Sequence, residues 1–263
     1  MDPYWQSASG DVTVYHAGCV DVLAAGCVDV PRVALVHDDP PYGNSDDLSA
    51  RGGARAGCQR SRTSSKTVGK VRVHATLAGN DQPFDPSLLL SLGRPLVLWG
   101  ANHYSDKLPA EKGWIVWDKR DGTEPDTGSD AELAWTNLGG ALRTFRHAWR
   151  GLARASETGT LHLHPTQKPI ALCSYVYQRA KLKPGDLVFV PHGGSGPDLP
   201  ACRAAGLRLV WCDVEQWCCD TAIARLPDAP IAIVARAKEW QRRAAKMTPE
   251  KVAEPVGPLF GAR

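Results

Sequence analysis

The chain has 263 residues with 43% hydrophobic and 22% charged positions, the balance of a globular protein with room for one large α/β domain. No apolar run reaches the roughly 20 residues that a membrane helix needs, and no basic stretch followed by an apolar core opens the chain, so a cytoplasmic protein is expected. The net charge of +3 is mild, and the eight cysteines show no C-x-x-C spacing, which argues against zinc and for free thiols in a reducing compartment.

In chain order, Val30 to Val36 is an apolar, β-branched run that stops at His37-Asp38-Asp39-Pro40-Pro41-Tyr42-Gly43, which predicts a buried strand emptying into a loop. Residues 43–76 lack apolar periodicity and predict a mobile loop. Between Arg51 and Arg72 this loop carries seven Lys or Arg and no acid. A helix at 86–92 and strands at 95–99, 114–117 and 132–135 follow. A second basic cluster, Arg143, Arg146, His147, Arg150 and Arg154, is interleaved with Phe145 and Trp149. Helical spacing then runs over 170–181, a strand over 186–190, and a glycine loop over Pro191-His192-Gly193-Gly194-Ser195-Gly196. A helix at 199–205, a strand at 208–212 ending at Asp213, and a helix at 216–226 complete the pattern. Strands alternating with helices predict a doubly wound, mostly parallel sheet with its ligands off the carboxyl ends of the strands.

Asp39-Pro40-Pro41-Tyr42 is the sharpest chemical signal. An exocyclic base amine is a poor nucleophile because its lone pair is delocalised into the ring. A carboxylate and a rigid carbonyl accepting from its two N–H groups let the nitrogen become tetrahedral, and paired prolines fix the backbone that aims them. A neighbouring aromatic ring can stack on a base swung out of a duplex. A proline turn after a strand is the plainer reading, and the basic loop and downstream glycine loop weigh against it.

On these residues the chain resembles the amino-methylating DNA methyltransferases, in particular short adenine-N6 enzymes of phages and bacteria whose catalytic motif precedes the cofactor motif. Asp39-Pro40-Pro41-Tyr42 matches their catalytic tetrapeptide. His164-Pro165-Thr166-Gln167-Lys168-Pro169 matches the segment that opens their cofactor-binding helix. Trp114 to Arg120 and Glu132-Leu133-Ala134-Trp135-Thr136 also look like phage members.

The resemblance implies a Rossmann-like sheet with circularly permuted motif order and S-adenosylmethionine as cofactor. Residues 1–227 would form the methyltransferase domain, 137–160 its target-recognition segment and 228–263 a basic tail. Asp39, Pro40, Pro41 and Tyr42 would be catalytic. His164, Thr166, Lys168, Pro191, His192, Gly193, Gly194, Ser195, Gly196 and Asp213 would border the cofactor. Arg60, Arg62, Lys66, Arg143, Arg146 and Arg150 would meet double-stranded DNA, and a homodimer is allowed. No metal ligand is expected.

Two departures stand out. Val190-Pro191-His192 replaces the family's Asp-Pro-Phe, and Ala17-Gly18 replaces its Gly-Asp. Alternatives are cytosine-N4 methylation, since only Asp39 in place of Ser points to adenine, and a DNA-binding relative with weakened cofactor binding. A dinucleotide oxidoreductase fits poorly, because Gly193-Gly194-Ser195-Gly196 is not Gly-x-Gly-x-x-Gly.

Overall fold

A computed structural model describes residues 1–43, 79, 82–121, 129–150, 153–158 and 167–244. Along the chain it places β1 (Trp5–Gln6), β2 (Val12–His16), α1 (Cys19–Ala24), β3 (Val33–Asp38), α2 (Ser87–Ser91) and β4 (Leu96–Trp99). Then come β5 (Ile115–Asp118), β6 (Ala131–Thr136), β7 (Arg143–Arg146), β8 (Trp149–Arg150) and β9 (Ala153–Arg154). The last third holds α3 (Ile170–Arg179), β10 (Leu187–Val190), α4 (Asp198–Ala204), β11 (Arg208–Asp213), α5 (Gln216–Ile223) and α6 (Ile231–Ala244).

Nine strands form one sheet in the order β1-β2-β11-β10-β3-β4-β6-β5-β7. Five of them, β2, β11, β10, β3 and β4, are mutually parallel, and β6 turns the sheet antiparallel at β4. The parallel strands are buried along most of their length because both faces are covered, as such sheets require. Leu35, Val97 and Val188 face a cluster that includes Leu172 of α3, Leu199 of α4 and Ile223 of α5. Their neighbours Val36, Leu98 and Phe189 face the other cluster, with Val22 of α1 and Leu89 of α2. Period-two alternation thus sends helices to both sides of a doubly wound, mostly parallel sheet.

Three local features differ from the sequence expectation. The run at 30–36 begins as a 3-10 turn over Val30–Arg32, because Pro31 has no N–H to give a ladder. The strand proper starts at Val33 and continues through Asp38. β1, β2 and α1 precede the first strand read from an apolar run. The expected tail at 228–263 begins as a helix of the fold: Ile233 and Ala237, four apart, are buried. Arg236 of α6 pairs with the buried Asp220 of α5 at 2.9 Å, and the Tyr4 hydroxyl donates to the same carboxylate at 2.8 Å. The basic loop at 44–76 and the tail beyond 244 lie outside the described residues. Among the described residues no helix is long and apolar enough to cross a membrane.

Candidate active site

Strands β3 and β10 lie side by side, yet the chain leaves β3 toward β4 and β10 toward β11, on opposite sides. Loops at such a switch point diverge and leave a crevice at the carboxyl ends. Here the crevice is a cavity of about 290 Å³, bounded by Asp39 to Tyr42 on one side and Pro191 to Ser195 on the other. Asp213, at the end of β11, and Lys168, just before α3, also line it. The sequence-derived catalytic tetrapeptide, the glycine loop and the strand-end acid therefore share one space.

Lys168 is almost fully buried and is held between two carboxylates. Its ammonium touches Asp39 and lies 3.2 Å from Glu132 of β6, over the Trp99 ring at 5.9 Å. A second cation, Lys119, reaches Glu132 at 3.0 Å. Burial opposes charge on Lys168, but Asp39 and then Glu132 outweigh it and raise its pKa, so the ammonium persists. Burial would also raise Glu132, yet Lys168 and Lys119 pull it down to about 2. Asp39 moves the other way: burial raises it more than Lys168 lowers it. Asp39 is thus the more basic of the two carboxylates on one ammonium.

The glycine loop is shaped by what lies beneath it. A Cβ on Gly193 would fall 1.8 Å from the indole of buried Trp211, and one on Gly196 would fall 2.3 Å from Ala222. Gly194 has φ +54° and Gly196 φ +64°, a region that L-residues seldom adopt. Asp213 accepts from the Gly194 N–H at 2.8 Å and the Glu215 N–H at 2.9 Å, tying the loop to β11. Burial raises Asp213 to about 6 despite those two bonds.

His192 turns back onto β3. Its Nδ1 lies 3.0 Å from Asp38 Oδ2, and its backbone N–H donates to Asp38 Oδ1 at 3.0 Å. Burial works against a charged imidazole here, but the Asp38 carboxylate prevails and holds its pKa well above the ordinary value. Val190 carries no acid, and Asp38 at the end of the adjacent strand brings a carboxylate to the same loop.

Behind the cavity, His37 Nδ1 meets Asp198 Oδ1 at 2.6 Å and its Nε2 accepts from the Trp99 indole at 2.9 Å. The Tyr177 hydroxyl also donates to Asp198. His37, Cys173 and Asp198 gather atoms of the kind that bind metals. Both ring nitrogens of His37 are already engaged within the protein, so the group reads as a hydrogen-bonded support.

Tyr42 stacks on His103 with ring centroids 4.4 Å apart and planes 11° from parallel. Gly100 allows this approach, since a Cβ there would sit 2.4 Å from the Tyr42 ring.

The expected recognition segment includes β7 and the β8–β9 hairpin. Arg143 and Arg146 are exposed on β7, the sheet's outermost strand beyond β5. Arg150 lies on β8, with only its backbone described. This segment grips the rim of the site. Trp149 donates to the Gln167 carbonyl at 2.8 Å, and Glu157 accepts the Ile170 N–H at 3.0 Å. Glu157 also holds Arg225 at 2.6 Å, and Arg225 donates to the Ser195 carbonyl at 3.1 Å. His164, Thr166, Arg60, Arg62 and Lys66 lie outside the described residues.

Sequence reasoning missed Glu132, Lys119, Asp38 and Glu157 as site residues. Asp38 stood beside Asp39 and Glu132 within a quoted motif, but their partners come from 154 and 36 positions away, respectively. No local pattern encodes such pairings.

Among solved structures, the chain is similar to the PvuII DNA methyltransferase (cytosine-N4-specific), at 11% identity, TM-score 0.54, covering 92% of this chain and 95% of that one. It is also similar to M1.HpyAVI in complex with SAM, at 17% identity and TM-score 0.45, covering 82% of this chain and 100% of that one. No family model matches the sequence, and no curated protein does. The first likeness establishes the fold, an α/β sheet shared with a DNA methyltransferase.

Proposed function

We propose that the chain is a DNA methyltransferase that moves a methyl group from S-adenosylmethionine to N6 of an adenine turned out of double-stranded DNA. The observation that carries this reading is the convergence of Asp39-Pro40-Pro41-Tyr42 with the glycine loop and Asp213 on one cavity. The residues present fit that cofactor. Positive-φ glycines let backbone pass close to a ligand, and Asp213 keeps lone pairs beyond its two backbone bonds for ribose hydroxyls. The His192 imidazolium suits the carboxylate of the methionine part. His164 and Thr166 are assigned to the cofactor side by resemblance alone.

Bound S-adenosylmethionine supplies an electrophilic methyl on a sulfonium. The chain's own residues then act on the amine. The Asp39 carboxylate accepts one N–H and the Pro40 carbonyl the other, so the nitrogen lone pair leaves conjugation as it attacks. Asp39 also carries the countercharge as the nitrogen becomes cationic. Lys168 steadies that carboxylate, which puts its charge on the catalytic side of the cavity. Tyr42, set by His103, presents an aromatic surface to the base. Arg143, Arg146 and Arg150 on the recognition segment, with Arg60, Arg62 and Lys66 of the basic loop, would meet phosphates and groove edges.

Cytosine N4 is an amine of the same kind, and Asp39 in place of serine is what favours adenine. Expression in a methylation-free bacterium, followed by sequencing of modified bases, tests the reading. N6-methyladenine at one short sequence is the expected result; N4-methylcytosine would transfer the reading to cytosine. Unmodified DNA from cells holding the folded protein would point instead to a DNA-binding relative.

A further inference from the structure

We propose that Glu132 is a positioning residue for the reaction, holding the Lys168 ammonium against Asp39 while its own charge keeps that ammonium from fully neutralising the Asp39 carboxylate. The proposal rests on the methyltransferase reading above and adds to it a group from the antiparallel part of the sheet.

Glu132 stands on β6, beside β5 through the Trp117↔Glu132 pair, and it reaches the site across the end of β4. One Lys168 ammonium serves both Asp39 and Glu132, so the two carboxylates compete for it. The groups that face Asp39 include Lys168, Glu132, Asp38 and Tyr104. Those facing Lys168 are Asp39, Glu132 and Tyr42, with the face of Trp99. Lys119 faces Glu132 from the other side. Two acids and two lysines alternate as Asp39, Lys168, Glu132, Lys119, and the charges sum to zero.

Such a chain lets the amine-accepting carboxylate be strong in two respects. Lys168 keeps it ionised and in place. Glu132 draws away part of the ammonium's field, so that Asp39 remains a good hydrogen-bond acceptor for N–H groups that become more acidic during attack. A lone lysine against Asp39 would hold its position and weaken it as an acceptor.

Two substitutions act with opposite sign. Glu132→Gln keeps the shape and removes a negative charge, so Asp39 titrates lower, by on the order of one pH unit. Lys119→Met removes a positive charge beyond Glu132, so Asp39 titrates higher. The probe is the Asp39 carboxyl carbon followed by carbon-13 NMR, assigned with Asp39→Asn. In the active protein the acidic limb of the kcat profile moves in the same directions, with affinity for S-adenosylmethionine unchanged. An Asp39 titration unmoved in Glu132→Gln, or shifted in one direction by both variants, overturns the proposal. Lys119→Met carries the test by itself if Glu132→Gln does not fold. The carboxyl titration needs no turnover, so a chain that leaves DNA unmethylated fails the functional reading while the titration still decides the role of Glu132.

Discussion

His192 and Asp38 join the carboxyl ends of two neighbouring strands through one carboxylate, which takes both the backbone N–H and the ring Nδ1 of the histidine. The loop after β10 is therefore fastened to the residue that immediately precedes Asp39-Pro40-Pro41-Tyr42. The two walls of the cavity, Pro191 to Ser195 and Asp39 to Tyr42, are held in register by that carboxylate.

This pair makes stability depend on pH. The His192 pKa is raised on folding, so its contribution is fully present below the unfolded value of about 6.5 and is lost as pH rises through the folded value. His192→Gln should destabilise by about 2 kcal/mol near pH 6, the scale of a hydrogen bond to a charged group. Denaturant unfolding of both proteins across pH should show the gap closing at alkaline pH. A gap of constant size from pH 5.5 to pH 9 would contradict the assignment.

Asp39→Ala removes the proposed acceptor for the amine and leaves Lys168 its second partner, Glu132. The fold should survive. Single-turnover methylation should slow on the order of a hundredfold or more, as for other pre-organised acceptors and donors at reacting centres. Parental turnover in a folded variant would remove Asp39 from the mechanism.

Gly193→Ala tests the floor of the glycine loop. The added methyl would meet Trp211, which is fully buried. Thermal unfolding should show a loss of about 2–3 kcal/mol, the scale of an overpacked core. Unchanged stability would mean the loop shifts freely over Trp211.

Asp213 should make cofactor binding sensitive to mild acid. Its pKa of about 6 leaves the carboxyl protonated below that pH and a full acceptor above it. Calorimetric affinity for S-adenosylmethionine should rise as pH climbs through 6, and Asp213→Asn should abolish that rise. A pH-independent affinity in the parent would place the ribose contact elsewhere.

Arg143 and Arg146 are exposed on the outermost strand of the sheet. If both meet phosphates, the double alanine variant should reduce the slope of log affinity against log salt by about 2. Fluorescence anisotropy on duplex DNA reads this directly. An unaltered slope would shift the phosphate contacts to other basic residues.

The sheet was legible in the sequence where strands are wholly apolar, as at Leu96–Trp99 and Leu187–Val190, because parallel strands buried on both faces show unbroken hydrophobic runs. The candidate site was legible where chemistry is contiguous, as in Asp39-Pro40-Pro41-Tyr42 and the glycine loop, which line one cavity. Lys168 was placed near the site by its motif but not against its partners. Its ion pairs with Asp39 and Glu132 arise from sheet order, which puts β3, β4 and β6 side by side. Residues 231–244 read as tail because Arg236, Lys238, Arg242 and Arg243 mask the Ile233 and Ala237 stripe that seats them.

The grips of Trp149 on Gln167 and Glu157 on Ile170 bracket Lys168 in sequence. The segment carrying Arg143 and Arg146 is thus not an interchangeable module. A chimaera that imports another segment in its place without those two side chains would slacken the backbone on both flanks of the lysine, and through Arg225 it would also release the Ser195 carbonyl. If the segment selects the target as proposed above, altered target choice and lost turnover would then arrive together. Engineering for new sequences should start from graftings that retain Trp149 and Glu157 and vary only what lies between and before them.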